Sequence, residues 1–514
     1  MAPPTENYFL LIAPLLLLLL AYTSFLFISG KSPSLKRRRI EAQTPPPGPP
    51  ALPIIGHLHL VGKILPTSFQ ALAQRHGPLL TLRLGFSTCV LASDASTAKQ
   101  IFKAHELNFS SRPEFGSAQY SIYRGSNFAM APHGDYWRFM KKLTVTRLLS
   151  PARLRLLAGV VDDERVRLLR SVAGSDGKVC DLGSELTAMT NNVICRMAMS
   201  TRCSGESEEA ERVRGVVAEC LDLAGKLSCG DALGPLFSVL DFSGNGPKLV
   251  RVLTEFDGLV ERIIKEHEEE EETERRREDL LDILLEIYND PLAEIRLSKT
   301  DIKSFLLDIF IAGTDTTSTA MQWAMAELIN HPAAFKNLRD EINTVVGPNQ
   351  LIKNSDVPNL PYLRAVIHET LRLHPPAPLI IRESADDCQV NSFTIKRKTR
   401  VLTNVYAVMR DPQSWKNPDE FIPERFLEDN SDEKIEGGNF DFRYLPFGSG
   451  RRGCPGASLA MMVMHATVGA LVQCFDWEVE DGEKLDMRLG SGFGGEMARP
   501  LLCYPVSRLS PHYF

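Results

Sequence analysis

The chain has 514 residues, of which 44% are hydrophobic and 24% charged, enough apolar material for a large core. A net charge of −6 gives no basic excess of the kind a nucleic-acid binder carries, so no nucleic-acid partner is expected. Ten cysteines without a CxxC pair are too sparse for a disulfide scaffold. Cys195, Cys220 and Cys474 lie in apolar helical stretches, where a reduced thiol acts as a small hydrophobe, and a reducing compartment is expected.

The first predicted element runs from Tyr8 to Ile28. It contains no charged residue and includes the run Leu15 to Leu20, so as a helix it can cross a hydrocarbon core of ~30 Å. Lys31, Lys36, Arg37, Arg38 and Arg39 follow it and only Glu6 precedes it. The basic flank therefore stays in the cytoplasm with everything behind it. A cleaved signal peptide is the alternative, disfavoured by the length of the segment and the lack of a basic start and a small-residue cleavage site. Residues 1–30 are expected to form a single-pass anchor. The sequon at Asn108 to Ser110 then faces the cytoplasm. Residues 31–56, ending in "PPPGPPALPIIG", form a basic flank and a stiff proline-rich hinge.

Residues 57–514 show no second linker and no internal repeat, and read as one mainly helical body. Strand signals occur at Leu79 to Gly85 and across Val390 to Val408. The acidic run Glu266 to Asp279 reads as a solvated helix end or a loop between two long helices. Ser298 and Asp301 make a capping box, and apolar periodicity then continues to Asn330, before His331-Pro332. At 1.5 Å per residue the helix would be roughly 48 Å long, so it must cross the centre of a large domain.

Midway along it lies "AGTDTTS", Ala312 to Ser318. Gly313 among threonines suggests a local bulge or widened groove, and Asp315 beside Thr316 supplies an acid and an alcohol able to pass protons. The alternative is a kink with solvent-facing polar residues. Further on, Glu369 and Arg372 lie three apart in an apolar helix, where charge must be fully paired. Arg425, in "PERF", offers a second guanidinium, so a structural triad of Glu369, Arg372 and Arg425 is expected. His368-Glu369 is not a zinc motif, because Arg372 stands where HExxH needs its second histidine.

Last comes "FGSGRRGCPG", Phe447 to Gly456, a cysteine among glycines with fixed positive charge beside it. With Phe447, Gly450, Arg452, Cys454 and Gly456 it satisfies Phe-x-x-Gly-x-Arg-x-Cys-x-Gly. Together with "AGTDTT", "ETLR", "PERF" and the proline hinge, in that family's order from Pro46 to Cys503, the chain resembles a plant microsomal cytochrome P450.

The resemblance implies a mainly α fold with small β-sheets and a long central helix, and haem b as cofactor with Cys454 as its axial thiolate. Donation from that thiolate favours O–O cleavage, and the helix N-terminus after it would help keep the sulfur deprotonated. Arg452, Arg382, Trp137 and Lys141 are implied propionate contacts, although the family more often has arginine where Lys141 stands. Phe447 would pack near the sulfur, and Gly456 belongs to the same loop. Ala312, Gly313 and Thr316 would flank the oxygen site, with Asp315 and Thr316 relaying protons. The expected activity is NADPH- and O2-dependent monooxygenation at the endoplasmic reticulum. The chain has no flavin or nicotinamide fingerprint, so electrons would come from a separate NADPH–cytochrome P450 reductase.

Two other classes share this scaffold, a redox-independent isomerase or dehydratase and a non-enzymatic haem protein, and neither needs the acid–alcohol pair. "TNVYAVMRD" and "FRYLPFGSGRRGCPGASLAM" look like the plant group containing flavone and isoflavone synthases and triterpenoid oxidases. Within it the chain is most similar to a branch acting on friedelane-type triterpenoids and strigolactone-like terpenoids. An apolar polycyclic substrate follows, a triterpenoid ahead of a flavonoid. The segments implied to line its pocket carry Arg124, Asp308 and Glu496 as their charges.

Overall fold

The computed structural model describes residues 44–200, 202, 244–271, 279–347, 350–427, 442–482, 484–491 and 494–508, with a few positions between 212 and 223. The expected anchor and basic flank lie outside the described residues.

The longer helices are α1 (Leu65–His76), α2 (Asp135–Leu143), α3 (Pro151–Gly174), α4 (Leu182–Met199), α5 (Asn245–Glu271), α6 (Leu280–Asn289), α7 (Lys299–Asn330), α8 (Pro332–Val345), α9 (Pro361–Leu373) and α10 (Ala457–Cys474). The capping box read from the sequence starts α7: Ser298 accepts from the Asp301 backbone, and the Asp301 side chain accepts in return. The helix keeps α geometry for all 32 residues. It packs most extensively against α4 and also meets α9 and α10, so its middle is surrounded by other helices. One described helix, Ala457–Cys474, is long and apolar enough to cross a membrane, and 72% of it is buried in the protein core.

The strands are β1 (Leu79–Leu84), β2 (Ser87–Ala92), β3 (Cys180–Asp181), β4 (Leu379–Glu383), β5 (Cys388–Val390), β6 (Phe393–Ile395), β7 (Arg400–Asn404), β8 (Phe475–Glu478) and β9 (Leu502–Ser507). They form a four-stranded sheet in the order β1-β2-β7-β4, a three-stranded sheet β3-β9-β8 and the hairpin β5-β6. Parallel pairing of β2 with β7, Leu91 opposite Leu402, joins the first part of the chain to the last.

Two sequence expectations change here. The strand signal to Val408 stops at Asn404, whose side chain caps the helical turn Val405–Val408. The described part of the proline hinge is packed on the sheet, where Thr81 in β1 donates its N–H to the Pro47 carbonyl at 2.7 Å and its hydroxyl to the Pro46 carbonyl at 2.8 Å. Cys195, expected as a reduced thiol, is disulfide-bonded. Asn108 of the sequon is engaged at both ends of its amide by the Asp386 backbone, at 3.0 and 2.7 Å.

A cysteine loop, an arginine cradle and the central helix

Cys454 sits in a loop held by its own backbone. Its N–H donates to the Phe447 carbonyl at 2.9 Å, and Gly453 N–H donates to the Gly450 carbonyl at 2.8 Å. Gly450 has φ +69°, and a Cβ there would lie 2.7 Å from Glu106 Oε1 and 3.1 Å from the Phe102 carbonyl. Only glycine fits that turn. Glu106, which the sequence reading missed, braces the loop by accepting the Arg451 N–H at 2.7 Å.

The Cys454 sulfur is enclosed by protein yet keeps accessible surface. Burial pushes its pKa up, while the Gly456 N–H at the start of α10 and the Lys141 ammonium pull it back. Lys141 reaches this loop directly, donating to the Gly453 carbonyl at 2.7 Å. A thiol kept protonated in water by its surroundings, yet with two stabilisers of its anion, loses its proton on binding a metal.

Beside the loop three guanidiniums converge. Arg452 donates to the Ser110 carbonyl at 2.7 Å and to the Ala131 carbonyl, and lies 4.3 Å over the Trp137 ring. Trp137 stacks in turn on Phe128 and leans on His133. Arg382 and Arg112 share one acceptor, the Ile381 carbonyl, at 3.1 and 3.4 Å. Burial lowers the pKa of Arg382 most and mutual repulsion from Arg112 and Arg452 adds to it; burial and Arg112 lower Arg452 to about 9. Among the described residues none of the three has a carboxylate within ion-pair distance, and Arg112 Nε is buried without a partner. Buried charge of one sign needs an anion to complete it. A flat group bearing two carboxylates, held over a thiolate, satisfies this cradle, and haem with its two propionates is such a group. Arg112 was not singled out from sequence. Its only signal was a lone arginine before a proline.

On α7, Ala312 and Thr316 keep accessible surface in the middle of a helix whose neighbouring turns are buried. The Thr316 hydroxyl donates back to the Ala312 carbonyl at 2.7 Å. Half-buried Asp315 has its pKa raised by burial first and then by the charge of Glu496. Gly313 does not open a bulge. A Cβ there would sit 2.5 Å from Ile194 Cδ1, so the glycine lets α4 close on α7. Ala312 and Thr316 are the most accessible positions of this stripe, and Gly313 between them is half-buried.

The two charges expected to line a pocket on this side are already engaged. Asp308, one turn before Ala312, accepts from Asn127 Nδ2 at 2.9 Å and from the Ala129 N–H at 3.1 Å. Arg124 donates to the Ala118 and Gln119 carbonyls at 3.3 and 3.0 Å.

Away from the site, Glu369 and Arg372 are both fully buried and joined by two bonds of 2.7 and 2.8 Å, and Arg425 Nε reaches Glu369 Oε1 at 3.1 Å. Arg372 also donates to the Met409 and Pro418 carbonyls, tying α9 to the segment before "PERF". His368 bonds the Tyr444 hydroxyl at 2.9 Å and is no metal ligand in this arrangement.

An α-helical body with a cysteine loop under a cationic cradle defines a haem-thiolate protein. The family model described as "Cytochrome P450" matches residues 46–502. The chain belongs to the cytochrome P450 family, whose members carry haem on a cysteine thiolate, and it is a monooxygenase of that family. It is 42% identical to a 3,9-dihydroxypterocarpan 6A-monooxygenase of Glycine max, over 91% of this chain and 94% of that one. It is 40% identical to a beta-amyrin 24-hydroxylase of Glycine max, over 91% and 93%. A zebra fish cytochrome P450 solved with progesterone shares the fold, with a TM-score of 0.74 at 23% identity over 86% of this chain and 99% of that one.

Proposed function

We propose that the protein inserts one atom of O2 into an apolar polycyclic plant metabolite, a triterpenoid, using electrons from NADPH through a separate reductase. The single observation that carries the substrate class is the engagement of Asp308 and Arg124 by their own loop, which leaves those two charges of the implied pocket segments spoken for. Glu496, the third charge of those segments, is an anion that repels acids, so affinity comes mainly from shape and burial.

Haem bound on Cys454 supplies the iron at which O2 is reduced. Lys141 and the Gly456 N–H favour the thiolate form of Cys454. Arg112, Arg382 and Arg452 hold and orient the propionates, and Trp137 backs Arg452. Asp315, its pKa raised by burial and then by the charge of Glu496, is the proton carrier of this site and passes a proton by way of Thr316. That relay favours oxygenation over isomerase, dehydratase or carrier roles. Tethering at the endoplasmic reticulum by residues 1–30, with this body in the cytoplasm, fits the uncharged segment Tyr8 to Ile28 and the basic residues behind it.

A second reading, oxidation of a flavonoid-type ring system, is favoured by the 42% identity to the pterocarpan monooxygenase. Spectral titration of the ferric protein separates the two. Type I shifts with pentacyclic triterpenes support the first reading, and shifts with flavanones but not triterpenes overturn it. Turnover with NADPH and reductase must follow.

A further inference from the structure

Between α1, the turn Val405–Val408 and the loop after β8 lies a cavity of about 440 Å³. No residue placed above around Cys454 lines it. Its lining carries three arginines, Arg410, Arg488 and Arg499, beside an apolar wall of Ile64, Met487 and Leu489.

The three guanidiniums are unequally answered. Asp486 is committed to Arg488, whose N–H and Nε donate to Oδ1 at 3.1 and 2.9 Å and whose Nη2 donates to Oδ2 at 2.7 Å. Those bonds hold the Asp486 pKa down to about 2, so it stays an anion already in use. Arg488 Nη1 makes no hydrogen bond among the described residues. Arg499 has only a second share of the same carboxylate, with Nε 3.4 Å from Asp486 Oδ2. Its side chain is 71% exposed and makes no hydrogen bond among the described residues. Arg410 is the opposite case, buried and lying 3.8 Å over the Tyr406 ring, with Nε 3.4 Å from an exposed Asp419. Its Nη1 is enclosed by protein, so what Arg410 gives the cavity is charge from behind the wall. His374 adds no charge, because burial keeps its ring neutral. Around the cavity three arginines thus face two carboxylates, Asp486 and Asp419.

We propose that this cavity is a second ligand site, for an amphiphilic anion whose head pairs with Arg499 and the free edge of Arg488 and whose chain covers Ile64, Met487 and Leu489. The head is a carboxylate or a phosphate ester, since the planar edge of a guanidinium takes two oxygens of either in parallel. A cation meets like charge on three sides. A neutral alcohol or a hydrocarbon covers the wall and leaves the excess guanidinium charge uncompensated. A bare inorganic anion answers the charge and leaves the apolar wall wet. Two sources offer such a molecule, a dissolved metabolite and an anionic membrane lipid. The lipid comes into question because Ile64 follows closely on the hinge behind the expected anchor.

The test uses full-length holoprotein in phosphatidylcholine nanodiscs, its iron ligated by an azole so that the haem pocket is blocked. Hexyl phosphate, inorganic phosphate, hexanol and hexylammonium serve as probes, and binding is followed by saturation-transfer NMR and equilibrium dialysis. Hexyl phosphate is expected to bind saturably, and about tenfold or more tighter than inorganic phosphate because its chain is buried. Its affinity should fall severalfold as salt rises from about 0.05 M to about 0.5 M. Hexanol and hexylammonium should show no saturable binding. Arg499→Glu, at an exposed position, should abolish hexyl phosphate binding, and Arg499→Lys should keep part of it. Leu489→Trp, filling the apolar end, should also abolish it while the azole spectrum stays unchanged. Loss of hexyl phosphate binding in nanodiscs doped with phosphatidic acid supports the site with a lipid as its source, and retained binding supports it with a dissolved anion. No saturable hexyl phosphate binding, equal affinity for hexanol, or full retention in folded Arg499→Glu or Leu489→Trp each overturns the proposal.

Discussion

Asp308 on the central helix accepts the backbone N–H of Ala129 at 3.1 Å, and so clasps the 127–129 loop to the turn preceding Ala312. The same stretch carries Ala131, whose carbonyl takes a hydrogen bond from Arg452. One short loop therefore connects the central helix to the cationic cradle.

That clasp titrates. Burial raises the Asp308 pKa from 3.8 to about 7, against the pull of the Ala129, Phe128 and Asn127 donors and of Arg112; Tyr136 faces it from α2 and feels its charge. A carboxyl whose folded pKa is raised favours the folded state at low pH, and that contribution is lost as pH rises from about 4 to about 7. Asp308→Asn does not titrate. Its melting temperature should gain on that of the wild type as pH rises across this window. A difference constant with pH would show that Asp308 titrates normally.

Arg112 should matter to cofactor retention. Arg112→Met removes one of the three guanidiniums facing the site, and haem should transfer to apomyoglobin several-fold faster than from the wild type. Arg112→Lys, which keeps charge without the planar fork, should fall between them. Equal transfer rates for all three proteins would place Arg112 outside the cradle.

Glu369→Gln leaves two guanidiniums without their shared carboxylate in a fully buried position. Such a loss costs about 3–5 kcal/mol, a large fraction of a domain's stability. Little folded haem protein should accumulate, as measured by the Soret absorbance per mole of purified chain. Wild-type haem content in this variant would mean the charges are solvated.

Gly313→Ala pushes a methyl group into Ile194 Cδ1, and overpacking of this kind costs about 1–3 kcal/mol. Ile194→Val removes the nearer obstructing atom, Cδ1, and leaves Cγ1, 2.9 Å from the added Cβ. The double variant should regain part of the melting temperature lost in Gly313→Ala. Independent, additive losses would show that the two helices do not meet through these atoms.

Cys454→Ser should lose the long-wavelength Soret band of the reduced carbon monoxide complex, because a hydroxyl cannot supply thiolate donation. A surviving band would assign the ligand to another residue.

Much of this was legible in the chain. The capping box and period located α7 to the residue, since both are local signals. The Glu369–Arg372 pair could be read because burial of charge in an apolar helix demands a partner, and "PERF" offered one. What could not be read is what long-range folding creates. Arg112 reaches the Ile381 carbonyl, which Arg382 also uses, across 269 residues, and Glu106 meets Arg451 across 345. Gly313 misled for a related reason: its meaning lies on α4, and the local pattern of glycine and threonine spoke only of α7.

The proline segment has a consequence for production of the protein. β1 stands at the edge of its sheet, and edge strands recruit other chains through their open backbone groups. Pro46 and Pro47 occupy the hydrogen-bonding positions of Thr81, and Gly48 lies so close that a Cβ would sit 2.3 Å from the Thr81 carbonyl. Prolines have no N–H, so this cover accepts from the edge without presenting a new ladder of donors. A truncation that begins at Thr44 keeps the cover and should remain monodisperse. One that begins at Ala51 bares the backbone N–H of Thr81, while Gly56 and His57 still cover Arg83 and Leu84, and its product should self-associate through the exposed end of the strand.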